Sequence, residues 1–208
     1  MWELIIFDLD GTLLDTSEGI FNSVRYAEKM LGLSPVSGTE LREFVGPPPK
    51  EMYRKKYGLS EEAALSAVKR HREYGMSKAL YESAIYEGVE DTLKYLKSRK
   101  KKLAVATLKG QAIAEKILEI NGLKKYFDTI VGMNADETYT KCDTIRIAME
   151  NTGCKTALMV GDSEYDRIGS EEAGIDFVGA LYGFGLNAEL QYPFNTINRM
   201  IELISIIR

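Results

Sequence analysis

The stretch LIIFDLDGT, residues 4–12, restricts the fold more than any other part of the chain. Leu4 to Phe7 are four apolar residues in a row, without the alternation of a half-exposed strand. Such a run suits a strand buried on both faces, as in a parallel sheet. It ends on two aspartates, Asp8 and Asp10, one residue apart. Carboxylates at the mouth of an apolar strand cost free energy unless other groups meet them. Their placement there is the first pointer to chemistry.

Comparable runs recur downstream: LAVAT ending at Thr107, TALMV before Gly161 and Asp162, FVGALYG from Phe177, and a weaker DTIVG at 128–132. Helical stripes separate them. Val89, Leu93 and Leu96 share one face, as do Ile113, Ile117 and Ile120, and Ile145, Ala148 and Met149 precede Gly153. This alternation predicts an α/β fold with a doubly wound parallel, Rossmann-like sheet. The last stretch, NTINRMIELISIIR, reads as a closing helix.

Residues from about 16 to 85 break the pattern and contain no convincing strand. Ile20, Val24, Ala27 and Leu31 form a helical stripe closed by Gly32. A proline triplet follows at 47–49, and Ser60 is an N-cap candidate with Glu61 and Glu62 in the next turn. The expected organisation is a core of residues 1–14 and 86–208 with an α-helical cap, 15–85, inserted between hinges near Leu14–Asp15 and Ile85–Gly88.

A net charge of −4 argues against a general nucleic-acid binder. Cys142 and Cys154 lack metal-ligand spacing. The single histidine, His71, stands among charges in KRHREYG and reads as part of a solvated helix face, leaving histidine-based catalysis little to draw on. No run approaches the roughly 18 apolar residues that span a bilayer, and the N-terminus lacks a signal-peptide pattern. The expectation is a cytoplasmic protein, monomer or homodimer, with neither membrane nor nucleic acid as partner.

Ligands of open α/β sheets bind beyond the carboxyl ends of the strands. There the first strand delivers Asp8 and Asp10, the second Thr107 and Lys109, and a later one Asp162 with Asp166 four residues on. Lys141, ahead of a helical stripe, points to the same crevice. Several carboxylates meeting in one place repel each other, and a hard divalent cation such as Mg²⁺ relieves the repulsion. A carboxylate can also act as the nucleophile of phosphoryl transfer, with a second one handling the proton.

Together, DLDGT at 8–12, Thr107, Lys141 and GDSEYD at 161–166 resemble the four motifs of the haloacid dehalogenase superfamily. The inserted helices resemble its small α-helical cap. FVGPPPKEMY and GALYGFG resemble the cap loop and the post-motif region of its phosphoglycolate phosphatase-like branch. The resemblance implies a Mg²⁺-dependent phosphatase of a small phosphorylated metabolite working through an aspartyl-phosphate. Asp8 would be nucleophile and metal ligand, and Asp10 acid/base with its main-chain carbonyl on the metal. Thr107 would bond the phosphoryl group, and Lys141 would neutralise charge. Asp162 would ligate the metal, and Asp166 would ligate it or orient a metal-bound water. Gly11, Thr12, Leu108, Lys109, Gly46 and Pro47 would lie on the substrate side.

Two positions depart from the family pattern: Leu108 replaces an Asn or Ser, and Cys142 a Pro. Phosphoglycolate is the implied substrate. A 5′-nucleotide, pyrophosphate or sugar phosphate, the last hydrolysed or isomerised by a phosphomutase, stays open. A receiver-like phosphoacceptor or a silent binding protein is the alternative of another class. The helical insert argues against the first, and retention of both Asp8 and Asp10 against the second.

Overall fold

The computed structural model describes residues 2–207. Met1 and Arg208, the outer ends of the expected core segments, lie outside the described residues. The chain enters on β1 (Leu4–Phe7), turns, and forms the short β2 (Leu14–Asp15). Four helices follow: α1 (Ser17–Leu31), α2 (Gly38–Arg42), α3 (Pro49–Tyr57) and α4 (Glu61–Ser77). The return passes through β3 (Ala84–Ile85). The rest alternates as α5 (Val89–Ser98), β4 (Lys102–Gly110), α6 (Gln111–Ile120), β5 (Thr129–Met133), α7 (Lys141–Thr152), β6 (Ala157–Gly161), α8 (Glu164–Ala173) and β7 (Asp176–Ala180). It closes on β8 (Asn195–Ile197) and α9 (Leu203–Ile207).

Six strands form one sheet in the order β5-β4-β1-β6-β7-β8, every pair parallel. β1 lies between β4 and β6, so both its faces are covered. Ile5 and Phe7 enter one apolar cluster with Leu93, Ile117 and Leu203, while Leu4 and Ile6 enter another with Ile145 and Ala148. Burying each such side chain contributes roughly 1.5–3 kcal/mol. That two-sided burial is why the strand reads as an unbroken apolar run.

The four inserted helices have their own core. Ile20, Val24 and Ala27 of α1 meet Phe44, Tyr53 and Val68. The α1 stripe ends at Gly32, which is left-handed at φ 65° as its cap. Ser60 caps α4 by accepting a bond from the Ala63 amide. The two crossings between core and insert are stitched together, because β2 and β3 pair antiparallel, Leu14 with Ile85 and Asp15 with Ala84.

Two expectations need correction. The stretch 84–85, inside a region read as strand-free, is a strand; two exposed residues carry no periodicity, and only the pairing with β2 defines them. The closing segment is not one helix. Asn195–Ile197 adds a parallel edge strand to β7, a 3₁₀ turn follows at Met200–Glu202, and only Leu203–Ile207 is α-helical. Of the strand residues only Ile197 is buried, so the segment shows no strand alternation. No helix among the described residues is long and apolar enough to cross a membrane.

Candidate active site

The carboxyl ends of β1, β4 and β6 deliver the acidic and hydroxyl groups to one edge. Phe7 is in register with Val105 and with Val160, which brings Asp8, Thr107 and Asp162 out at nearly the same level. Asp166 follows in the first turn of α8, where Ser163 is the N-cap: its hydroxyl and the Asp166 carboxylate bond each other's amides in a capping box. Lys141 is the first residue of α7. Thr140 and Asp143 form a second capping box there, which starts the helix at that point with Cys142 in the usual proline position.

Lys141 is the electrostatic centre. Its Nζ lies 2.6 Å from Asp8 Oδ1 and 2.7 Å from Asp166 Oδ1, and donates to the Ala106 carbonyl at 2.8 Å. Burial opposes its charge, but Asp166 and Asp8 more than offset this and hold the ammonium above its ordinary pKa. Asp8 is pushed well above the usual carboxylate range, first by burial and then by Asp166, Asp162 and Asp10, against the pull of Lys141. Asp162 accepts bonds from the Phe184 amide at 2.7 Å, the Gly185 amide at 3.3 Å and the Thr12 hydroxyl at 3.4 Å. Burial and the Asp166 charge nevertheless raise it to about 7.

Glycines make room for these groups. Gly11 is left-handed at φ 83°, and a Cβ there would overlap the Asp162 carboxylate. Substituents on Gly161 and Gly183 would overlap Asp166 and Asp162, and one on Gly169 would press on the Lys141 stem.

Asp8, Asp162 and Asp166 are buried and offer carboxylate oxygens within 4.8 Å of one another. Asp166 Oδ1 meets the Lys141 ammonium at 2.7 Å and has no other partner among the described residues, leaving a lone pair for a cation. An all-oxygen set with surplus negative charge fits Mg²⁺. The Asp10 side chain lies apart from this set. It accepts bonds from Lys109 Nζ at 2.8 and 3.1 Å and from the Thr16 hydroxyl. Thr16 occupies the N-cap position of α1 and makes no capping bond; its hydroxyl donates to Asp10. Thr107 is buried, and its Oγ1 accepts the Lys109 amide at 3.1 Å.

A cavity lies between the strand ends and the inserted helices. Asp10, Leu108 and Lys109 line it from the sheet, and Gly46, Pro47, His71 and Arg72 from the inserted helices and their loops. Gly11 and Thr12 are not part of its lining; they meet Asp162 instead, Thr12 by its hydroxyl and Gly11 by close packing. The basic residues near the proline loop stay outside: Lys50 and Arg54 pair with Glu61, and Lys55 and Lys56 with Glu43. His71 is a correction. Instead of lying on a solvated face it is half-buried, bonded to Tyr53 and part of the cavity wall. A spacing of i, i+4, i+7, i+11 through Ala64, Val68, His71 and Gly75 carries this information, but two alanine-sized members make the stripe weak. Arg72 and Glu137 also have no readable local pattern; Phe184 and Gly185 lie in the GALYGFG stretch, where the resemblance marks the segment but not the contact of its amides with Asp162.

Comparison with known proteins agrees with this geometry. A family model described as haloacid dehalogenase-like hydrolase matches residues 5–180. The chain is 36% identical over 190 residues to a 5′-nucleotidase of Pseudomonas aeruginosa, covering 90% of this chain and 86% of that protein. It is 30% identical to the pyrophosphatase PpaX of Bacillus velezensis, covering 86% and 82%. The crystal structure of a "predicted phosphatase" from Clostridium acetobutylicum superposes with a TM-score of 0.92 at 38% identity, covering 100% of this chain and 98% of that one.

Proposed function

The chain belongs to the haloacid dehalogenase-like hydrolases, and on that premise we propose that it is a Mg²⁺-dependent phosphatase of small phosphomonoesters. The observation that supports this most is the buried pair of Asp8 with Lys141, flanked by Asp162 and Asp166 and followed two residues on by Asp10. Lys141 favours the ionised, nucleophilic form of Asp8 against the effect of burial. The Asp8 carboxylate attacks phosphorus, an aspartyl-phosphate forms, and the bond to the leaving oxygen breaks. Asp10 gives that oxygen its proton and then takes one from the water that hydrolyses the intermediate. Thr107 bonds the phosphoryl group. Lys109 and Thr16 hold Asp10 at the boundary of core and cavity. Asp8, Asp162 and Asp166, with the Asp10 carbonyl, would hold Mg²⁺, which when bound neutralises charge on the phosphoryl oxygens.

Resemblance favours phosphoglycolate as substrate. A second reading, a nucleoside monophosphate, is favoured by the apolar walls of the cavity, Phe44, Pro47 and Leu108 among them, and by the similarity to a 5′-nucleotidase. The test is a screen of phosphomonoesters with Mg²⁺, scored by kcat/KM, on wild type and Asp8→Asn. The variant is expected to lose turnover on every ester while its melting temperature stays within a few degrees. Wild-type turnover in Asp8→Asn would remove the nucleophile from this scheme.

A further inference from the structure

The two cations that line the cavity are already neutralised. Lys109 Nζ is 2.8 Å from Asp10 Oδ1, and Arg72 of the cap is paired with Glu137 of the loop after β5. The remaining nitrogen group on the wall is His71. Its Nδ1 lies 3.3 Å from the hydroxyl of Tyr53. Tyr53 is fully buried, packed edge-on against Phe44 and stacked on Tyr57, and its hydroxyl meets no other partner among the described residues. A buried hydroxyl hydrogen needs an acceptor, and Nδ1 is the one within reach. Tyr53 therefore donates, and the imidazole hydrogen resides on Nε2. Among the described residues Nε2 has no hydrogen-bond partner, and the half-buried ring forms part of the cavity wall. Burial, with Lys109 and Arg72 nearby, keeps the ring neutral by pushing its pKa down to about 3.

We infer that the His71 Nε2–H, oriented by Tyr53, is the specificity-determining donor of this site, and that it selects phosphomonoesters whose leaving group is an uncharged alcohol carrying a hydrogen-bond acceptor, a sugar or nucleoside, over those carrying a carboxylate. The inference rests on the phosphatase reading above. A carboxylate entering the cavity would leave water and find both cations engaged, an uncompensated cost. A ring oxygen or hydroxyl needs only one neutral donor, and His71 supplies it. The apolar wall beside it suits the face of a furanose or a base.

The experiment compares kcat/KM for ribose 5-phosphate, adenosine 5′-monophosphate, 2-phosphoglycolate and phenyl phosphate with Mg²⁺. Phenyl phosphate has no acceptor beyond the bridging oxygen, so it serves as the internal reference. Wild type should prefer ribose 5-phosphate or adenosine 5′-monophosphate to 2-phosphoglycolate by at least about tenfold, and the better of the two distinguishes a sugar from a nucleoside subsite. His71→Phe should lower the ratio of that substrate to phenyl phosphate by roughly three- to tenfold, the worth of one neutral hydrogen bond. Tyr53→Phe should lower it less, and His71→Gln, which keeps an N–H donor, should lose less than His71→Phe. Circular dichroism melts confirm that each variant is folded. A wild-type preference for 2-phosphoglycolate, or equal losses on all four esters in His71→Phe, overturns the inference and leaves the phosphatase reading intact. Failure of wild type to hydrolyse any of the four esters overturns both.

Discussion

Replacing Lys141 with methionine removes the charge at the centre of the site and keeps most of the side-chain volume. The ammonium is 4% exposed and sits against two carboxylates that are 7% and 0% exposed. Breaking a buried pair by deleting one partner costs about 3–5 kcal/mol, because the other charge is left uncompensated. With a urea slope of roughly 2 kcal/mol per molar for a domain of this size, the midpoint should fall by about 1.5–2.5 M. The measurement is urea unfolding in EDTA at pH 7.5 and pH 5. Asp8 already has a raised pKa, and loss of Lys141 raises it further. The stranded Asp8 carboxyl is then increasingly protonated at pH 5, and the deficit there should be clearly smaller than at pH 7.5. The milder pH also permits purification of a variant that is marginal at neutrality. Mg²⁺ should stabilise the variant more than wild type, since it restores positive charge among the same oxygens. A midpoint shift below about 0.5 M at pH 7.5, or an equal shift at both pH values, would refute the view that Lys141 compensates the site.

Three more outcomes follow from the same geometry. Asp10→Asn should reduce kcat far more on an alkyl phosphate than on p-nitrophenyl phosphate, whose leaving group needs no proton; equal losses on both would exclude Asp10 as the acid. Asp162 is raised to about 7 in the folded chain from roughly 4 unfolded. Its protonated form therefore favours the fold at low pH, and that contribution is lost as pH rises through 7. Metal-free protein should thus melt lower at pH 8 than at pH 6, and the rise in melting temperature on adding Mg²⁺ should be larger at pH 8; an equal rise at both would count against Asp162 as a ligand. Finally, Glu137→Gln frees Arg72 within the cavity, so kcat/KM for 2-phosphoglycolate should rise severalfold relative to ribose 5-phosphate, and an unchanged ratio would show that Arg72 does not reach the leaving group.

The parts of this molecule that are legible in the sequence are those set by local chemistry. β1, β4 and β6 announce themselves because burial on two faces requires unbroken apolar runs, and the acids stand out because they end those runs. The capping residue Ser60 also follows from its own neighbourhood. What escaped depends on partners distant in sequence. β8 is a strand only because β7 offers it an open edge. His71 is a cavity residue only because α4 packs where Lys109 and Asp10 line the same cavity. Asp162 is held by the amides of Phe184 and Gly185, which have no side-chain signature to read.

The glycines packed against the charged groups have a mechanical consequence. The energy of a cluster of like and unlike charges depends on separations of a few tenths of an ångström, and here Gly11, Gly161, Gly169 and Gly183 set those separations through backbone contact with Asp162, Asp166 and Lys141. All four belong to the sheet side of the molecule, and none belongs to the inserted helices. Substitutions on the inserted helices can therefore reshape the leaving-group cavity while these glycine contacts stay on the sheet side; the links across are Phe184, whose amide holds Asp162 while its ring packs on the inserted helices, and Thr16, whose hydroxyl holds Asp10. The spacing of the charged groups and the shape of the cavity are in this sense set from opposite sides, and inserted helices with different side chains would inherit the same electrostatic floor as long as the Thr16 and Phe184 contacts are kept.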